Sequence, residues 1–246
     1  MKNLLLILCF TALLTPPPVA AQGKPAAADE GETAMPEGLT ADQIVDAVKT
    51  SRCALQPLNG ILTKGGKEVP FVLKMTESLI HISFENPKQN ISLDIGDKTY
   101  RLKEVTAGSN KEVPSAQYSA GVRGTDLTYD DLSMRYLYWP KKVAIGEETI
   151  KTQKCYVVDL YNPQRLGDYY LVRIFVGKNS GAIMRMNSFD WNGKIIKSCS
   201  VTAGMKIPDP QGKMVTVLKT MEVIRYVPGT KKVAGETTFE LRKPQK

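Results

Sequence analysis

Hydrophobic and polar residues alternate with a period of two along most of the chain from residue 69 onward. In the first four runs the apolar positions are Val69, Phe71, Leu73 and Met75, then Ile80, Ile82 and Phe84, then Ile91, Leu93 and Ile95, and finally Tyr100 and Leu102. This period predicts strands that each bury one face. The breaks between the runs are short and rich in turn residues, which indicates hairpins and therefore antiparallel neighbours.

The later part of the chain predicts further strands over 142–150, 153–161, 169–177, 181–190, 194–206, 213–227 and 234–242. Asn192-Gly193, between two of these segments, is the strongest hairpin signal in the sequence. An antiparallel sheet of about a dozen strands tends to curl on itself, and a strongly curled sheet becomes a barrel or half-barrel with an interior. We therefore predict a mainly β protein of the α+β class, built on one large curled antiparallel sheet.

One predicted strand, Tyr169–Val176, is apolar on both of its faces. A strand of this kind is covered on both sides. Arg173 stands among its apolar residues, and two explanations remain open for it. Its charge either reaches solvent at an edge or pairs with a carboxylate.

Two segments carry helix-start signals, one before the strand pattern and one within it. At the first, Thr40 is a capping residue with Gln43 as its capping-box partner. At the second, Thr128 and Asp131 stand in the same relation, and a helix is predicted over 128–137. A short helix among so many strands must lie against the sheet, which makes it a candidate lid.

The spacing within this second helix predicts which side chains face the sheet. Leu132, Tyr136 and Trp139 are four and three residues apart, so they fall on one side of a helix and are predicted to point at the concave face. Asp130 and Asp131 are adjacent, and adjacent helix residues do not face one another. We interpret them as capping residues and not as a catalytic pair.

Residues 1–21 have the features of a signal peptide, with Lys2 before an apolar run that is too short to span a bilayer as a helix. Small residues at its end predict cleavage after Ala21. Acylation of Cys9 would instead make the chain a lipoprotein, although Leu8 before it is larger than the usual residue at that place. The mature chain is expected to be exported.

The rest of the chain divides into a leader and one domain. Residues 22–37 are small, polar and acidic, which predicts a disordered leader. Residues 38–246 are long enough for one large domain or two small ones, and no comparable linker interrupts them. We predict a single domain.

The chain is basic, with a formal net charge of +8. In an exported protein this charge could meet anionic lipid headgroups, acidic glycans or a partner's acidic face, and nucleic acid is a less fitting partner there. The alternative is that the charges only solubilise the outer faces of the strands. Cys53, Cys155 and Cys199 permit one disulfide, with the pairing of Cys155 and Cys199 left open.

Residues suited to catalysis are scarce. His81 is the single histidine and alternates with apolar residues on the outer face of its strand, so a Ser-His-Asp triad and a zinc site are both disfavoured. No metal, cofactor or enzymatic activity is predicted. The inward residues either fill a solid core or line a cavity for an apolar ligand, and the many methionines favour the cavity, since methionine adapts to varied apolar partners.

Two segments carry a resemblance to a known family. The helix start Gly124-Thr125-Asp126-Leu127-Thr128-Tyr129-Asp130-Asp131-Leu132 and the hairpin Phe189-Asp190-Trp191-Asn192-Gly193-Lys194-Ile195-Ile196-Lys197 resemble the outer-membrane lipoprotein-sorting protein family. This is the LolA/LolB-like superfamily of Gram-negative periplasmic carriers, and the resemblance covers roughly 39–242. The acidic leader, the three mature cysteines and the basic charge make the chain more similar to the uncharacterised branch than to the dedicated carrier.

The resemblance implies an unclosed antiparallel half-barrel with helices packed across its concave face, and a cavity that holds acyl chains. We therefore expect a monomeric periplasmic binding protein for a lipid acyl chain or a lipoprotein, with an envelope membrane protein as a further partner. The alternative is a non-catalytic interaction module, accessory to an envelope transporter or an envelope-stress system. The residues predicted to contact the ligand are Val69, Phe71, Leu73, Met75, Ile80, Ile82, Phe84, Leu132, Tyr136 and Trp139.

Overall fold

Thirteen antiparallel strands form a single sheet in the computed structural model, which describes residues 38–51, 53–96, 98–106 and 109–243. The strands are β1 (Leu55–Lys64), β2 (Lys67–Met75), β3 (Leu79–Phe84), β4 (Gln89–Ile95), β5 (Tyr100–Thr106), β6 (Ser109–Glu112), β7 (Lys141–Ile150), β8 (Gln153–Tyr161), β9 (Leu171–Gly177), β10 (Ile183–Phe189), β11 (Ile195–Pro208), β12 (Met214–Tyr226) and β13 (Val233–Arg242). The predicted signal peptide and leader lie outside the described residues.

The order of the strands explains the shape of the molecule. It runs β6-β5-β4-β3-β2-β1-β13-β12-β11-β10-β9-β8-β7, so every neighbour except the β1–β13 pair is also a neighbour in sequence. The two edge strands, β6 and β7, follow one another along the chain but do not pair. The sheet is therefore a curled, unclosed half-barrel, and the predicted fold class is confirmed.

The chain between the two edge strands forms what we call the bridging segment, residues 113–140. It contains one short α-helix, α2 (Tyr129–Ser133), and three single turns of 3₁₀-helix at Ser115–Gln117, Val122–Gly124 and Arg135–Tyr138. Because β6 and β7 are opposite edges of an open sheet, the segment that joins them must cross the opening between them. The topology thus places it over the concave face.

The other helix, α1 (Ala41–Thr50), precedes the first strand. Its capping box forms as predicted, with the Thr40 hydroxyl accepting from the Gln43 amide and the Gln43 side chain accepting from the Thr40 amide. Ile44, Val45 and Val48 are buried. A salt bridge of 2.8 Å between Asp42 and Lys142 joins α1 to edge strand β7. In the part of the chain described, no helix combines the length and apolarity that crossing a bilayer requires.

The second predicted helix is shorter than expected. The capping box of Thr128 and Asp131 is confirmed, but α2 ends at Ser133 and does not continue to residue 137. Met134 takes a left-handed conformation with φ 49° and ψ 22°. The Ser133 hydroxyl, which donates to the Asp130 carbonyl and accepts from the Arg135 amide, supplies hydrogen bonds at this helix end in place of another helical turn.

Most of the core lies on the concave face, and a smaller apolar cluster lies on the other side of β8–β11. The smaller cluster contains Cys155, Val157 and Phe175. Strand β9 is accordingly buried on both faces, as its sequence predicted. Arg173 on β9 makes two hydrogen bonds to Asp159, at 2.7 and 2.9 Å, so the carboxylate explanation for this arginine is the correct one.

The two cysteines whose pairing was open do not form a disulfide. Cys155 belongs to the outer cluster and Cys199 to the concave core, and both are buried thiols. Burial raises the pKa of the Cys155 thiol to about 11 and also raises that of Cys199. Both side chains are therefore protonated, weakly nucleophilic packing residues at neutral pH.

Candidate functional site

Three aspartates near the middle of the bridging segment fix its position over the sheet. They are Asp126, Asp130 and Asp131, all with less than a tenth of their surface exposed. A buried carboxylate is costly unless it is paired and hydrogen-bonded. Each of the three has a cationic partner, so each defines one attachment point.

Asp131 attaches α2 to strand β11 and to the chain before β9. The Lys197 ammonium donates to its Oδ2 at 2.7 Å, and the Tyr169 hydroxyl donates to its Oδ1 at 2.7 Å. The Thr128 amide also donates to Oδ2, at 2.8 Å, which is the capping-box bond. Burial, followed by the charge of Asp131, raises the pKa of Tyr169 well above its usual value, so this hydroxyl remains a donor at neutral pH.

Asp126 attaches the segment to the seam where the first and last strands pair. Its carboxylate accepts from Lys64 at 3.0 Å, Arg225 at 2.9 Å and Thr237 at 3.0 Å. Burial opposes ionisation of this carboxyl, but these hydrogen bonds outweigh it and hold the pKa of Asp126 below its usual value. A Cβ at Gly235 would overlap the carboxylate, so the missing side chain makes room for it.

Asp130 attaches the segment to itself and to the loop before β9. Arg135 donates to both oxygens of its carboxylate, at 2.6 and 2.8 Å, and also to the Leu166 carbonyl at 2.7 Å. The adjacent residues Asp130 and Asp131 therefore bind different partners, Arg135 for the former and Lys197 with Tyr169 for the latter. The capping role predicted for Asp131 is confirmed, whereas Asp130, which was also interpreted as a capping residue, is the partner of the buried Arg135.

An apolar cavity of about 270 Å³ lies between the concave face and the bridging segment. It is lined by Val48, Cys53, Leu55, Leu73, Met75, Ile80, Ile82, Leu127, Asp131, Leu132, Met134, Tyr136, Ala182, Ile183, Met186, Cys199, Val201, Val217, Leu218, Met221, Phe239 and Leu241. Asp131 is the one charged residue among them, and its charge is balanced by Lys197. The lining suits an apolar guest.

A second cavity of about 110 Å³ adjoins the first. It is lined by Ile80, Ile82, Ile91, Leu93, Leu102, Asp131, Leu132 and Met134. Leu132 and Met134, both on the bridging segment, line the two cavities, as do Ile80, Ile82 and Asp131. Together the spaces reach the lower end of the range of about 300–1,000 Å³ that is typical of small-molecule pockets.

The structure brings six of the ten predicted contact residues to the larger cavity: Leu73, Met75, Ile80, Ile82, Leu132 and Tyr136. Phe71 and Phe84 instead pack in an aromatic group, with the Phe71 ring centroid 5.0 Å from that of Phe239. Val69 is partly buried against the same core.

Trp139 is absent from the lining of the larger cavity, although its side chain is buried in the main core cluster. Because α2 ends at Ser133, the helical spacing on which the prediction rested does not extend to residue 139. Trp139 lies in a separate, more polar cleft beside Arg135, whose guanidinium is 5.6 Å from its ring.

The prediction from sequence also missed the contribution of the last three strands. Cys199 and Val201 from β11, Val217 and Met221 from β12, and Leu241 from β13 line the cavity. These strands carry the same period-two signal, but only the pairing of β1 with β13 shows that they complete one wall.

The side chain of His81 has one hydrogen-bond partner within the described residues, the Ser92 hydroxyl at 3.2 Å.

The curled, unclosed sheet with an apolar interior crossed by one segment is similar in fold to several solved structures. A LolA superfamily protein from Nitrosomonas europaea is similar, with TM-score 0.58, 12% identity and coverage of 84% of this chain and 93% of the other. An outer membrane lipoprotein-sorting protein domain from Vibrio parahaemolyticus gives TM-score 0.56, 13% identity and coverage of 76% and 82%. A DUF1329 family protein from Desulfovibrio piger has a TM-score of 0.55 and 15% identity, and the match covers 82% of this chain and 89% of the other.

The family itself follows from the sequence. A family model with the description "-like: Uncharacterized protein" matches residues 106–242, more than half of the chain, and the chain belongs to that family. The match begins just before the bridging segment and ends with β13, so it includes all three buried aspartates. A comparison with curated proteins finds no match.

Proposed function

We propose that this chain is a periplasmic binding protein for a lipid or a lipidated protein, with an acyl chain held between the concave sheet and the bridging segment. The observation that carries the proposal is the apolar cavity of about 270 Å³, whose one charged lining residue already has its counter-ion. Such a lining offers burial to hydrocarbon and few bonds to a polar substrate. The proposed role is binding without catalysis.

The flexible side chains of the lining fit an acyl chain of varying length. Met75, Met134, Met186 and Met221 all line the larger cavity, and methionine adapts its shape to apolar partners. Rotation of Leu132 and Met134 would join the two cavities without moving the backbone that Asp126 and Asp131 hold. In this proposal the bridging segment is a lid whose anchored backbone stays in place and whose side chains admit the ligand.

Cleavage of the signal peptide near Ala21, export to the periplasm, the monomeric state and an envelope partner belong to the same proposal. The support for export is the apolar run of residues 4–14 after Lys2 and the small residues that precede Gln22. The fold is compatible with this location, since the Vibrio parahaemolyticus neighbour is described as an outer membrane lipoprotein-sorting protein domain.

Two matched tryptophan variants test the proposal. Met221→Trp fills the cavity, whereas Met214→Trp places the same ring on the same strand at a side chain that is 56% exposed and lines no described cavity. A dansyl-labelled fatty acid should bind the unchanged protein and Met214→Trp with equal affinity, and Met221→Trp at least about tenfold more weakly, since about 1.4 kcal/mol of lost contact has that effect.

Mass spectrometry of organic extracts of the purified protein gives an independent measurement. Lipids should copurify with the unchanged protein and with Met214→Trp, and be depleted from Met221→Trp. The proposal fails if the unchanged protein carries no lipid and binds no labelled fatty acid. Capture of a protein partner without lipid would favour the interaction-module alternative instead.

A further inference from the structure

A group of exposed cations surrounds a cleft of about 530 Å³ on strands β11–β13. The cleft is lined by Gly204, Met205, Lys206, Lys219, Glu240, Leu241, Arg242 and Lys243. Four of these residues are cationic and one is anionic, so the cleft carries a clear positive excess. The neighbouring strands supply the charges from positions far apart in sequence, and only the folded sheet brings them together.

These cations differ from the basic residues that hold the bridging segment, because the latter each have a counter-ion. Lys64, Arg225 and Lys197 are all paired with a buried aspartate. The side chains of Lys206, Lys219, Arg242 and Lys243 form no hydrogen bond or ion pair with another described residue. Like charges held close together repel one another, and a bound anion would relieve that repulsion.

The cleft and the apolar cavity share one lining residue. Leu241 lines both spaces, and its side chain is buried with 3% exposed. Met205, on the floor of the cleft, pairs across the sheet with Val217, which lines the cavity. A molecule with its hydrocarbon in the cavity and its polar end emerging past Leu241 would place that end among the four cations.

We infer that this cationic cleft is a binding subsite for a phosphate group, and that the ligand is an anionic amphiphile whose chains occupy the adjoining cavity. The inference rests on the proposed lipid-binding function and narrows its ligand to phospholipid-like molecules with a net negative headgroup. Lysine and arginine donate charge-assisted hydrogen bonds to phosphate oxygens. The apolar floor of Met205 and Leu241 accommodates the glycerol end of the chains.

Calorimetric titration with short-chain lipids below their micelle concentration tests the inference. Phosphatidylglycerol and phosphatidylcholine with identical chains differ in net charge, so a phosphate subsite without a matching choline site favours the former. The site variant is Lys219→Gln/Arg242→Gln. The matched control, Lys231→Gln/Lys232→Gln, removes two exposed charges from the turn between β12 and β13 and leaves the same net charge.

The unchanged protein and the control should bind phosphatidylglycerol more tightly than phosphatidylcholine. The site variant should bind phosphatidylglycerol more weakly by on the order of tenfold, because each basic residue near an anionic headgroup adds about 1 kcal/mol of binding free energy. Its affinity for phosphatidylcholine should not change. Glycerol phosphate, which has the headgroup chemistry without chains, should bind much more weakly than the lipid. Equal affinity for glycerol phosphate and the lipid would identify a free-phosphate site and overturn the inference of an amphiphile.

Two further outcomes separate this inference from the proposed function. If both lipids bind all three proteins with equal affinity, the cationic cleft takes no part in recognition, and the inference is wrong while lipid binding stands. If neither lipid binds the unchanged protein and the dansyl-labelled fatty acid also fails to bind, the proposed function falls and the inference falls with it. Thermal unfolding of each variant confirms that the binding changes are not caused by loss of the fold.

Discussion

Lys197→Met should release the attachment of α2 to the sheet. The Lys197 ammonium lies 2.7 Å from Asp131 Oδ2 and 3.3 Å from the Thr128 hydroxyl. The side chains of the ion pair are 4% and 3% exposed, so neither charge can be solvated in place. Methionine has a similar length and apolar stem, and the substitution therefore removes the charge with little change in packing.

The expected loss of stability follows from the group left behind. Removing one partner of a buried ion pair costs about 3–5 kcal/mol, because the remaining charge is buried without compensation. Asp131 keeps three hydrogen bonds, from the Tyr169 hydroxyl at 2.7 Å and from the Thr128 amide and the Thr128 hydroxyl, both at 2.8 Å. We therefore expect the lower end, about 3 kcal/mol, which is a large part of the about 5–15 kcal/mol that stabilises a typical protein.

Urea unfolding at neutral pH measures the effect, and Lys206→Met is the matched control. Lys206 lies on the same strand, β11, but is exposed, so its substitution should change the free energy of unfolding by less than about 0.5 kcal/mol. Amide exchange should accelerate across 126–138 in Lys197→Met alone. Adding Asp131→Asn should restore part of the stability, since the double variant leaves no buried charge unpaired.

The reasoning is refuted if Lys197→Met and Lys206→Met unfold at the same urea concentration. It is also refuted if the double variant is destabilised by the full sum of the two single changes, because independent additive effects would show that the two side chains do not interact.

Three further predictions concern the core and the attachment points. Phe71→Ala should lower the free energy of unfolding in urea by about 3–5 kcal/mol, because the ring packs against Phe84 and Phe239 in solid core. A decrease below about 1 kcal/mol would show that the ring borders empty space instead. Gly235→Ala should cost about 1–3 kcal/mol, because the new Cβ overlaps the Asp126 carboxylate, and adding Asp126→Ser should lessen the loss if the overlap is its cause. Burial raises the pKa of Tyr136 and Tyr169 above 10.0, so stability should hold below about pH 10 and fall above it by about 1.4 kcal/mol per pH unit for each tyrosine, until the folded pKa is reached. A urea midpoint that stays constant between about pH 9 and about pH 11 would contradict the last prediction.

The period-two pattern predicted most of the sheet, because one face of nearly every strand is buried. The seven later strands lie within about two residues of their predicted bounds. Two strands lacked the signal. β1 has a register shift between Leu55 and Leu58, which interrupts its alternation, and β6 (Ser109–Glu112) is a short edge strand with no apolar residue.

The attachments of the bridging segment could not be predicted, because they are distant in sequence. Lys197 is 66 residues from Asp131, and Arg225 is 99 residues from Asp126. A capping box, in contrast, joins residues three apart and can be found locally, so Thr128 and Asp131 were identified correctly. The early end of α2 was missed although its contacts are local, because the helical spacing of Leu132, Tyr136 and Trp139 does not indicate that Ser133 and Arg135 bond back to Asp130.

The positions of Asp126 and Asp131 explain why a cavity exists at all. A segment held only by apolar contacts would settle onto the concave face until its side chains filled the space, since empty apolar volume costs contact energy. Here the backbone is held at fixed points by Asp126 and Asp131, through cations that rise from β1, β11 and β12. Leu127, Leu132 and Met134, between and beside those points, can then line the interior without filling it. The polar residues of the bridging segment thus set the distance to the sheet, and its apolar residues determine what can occupy the space.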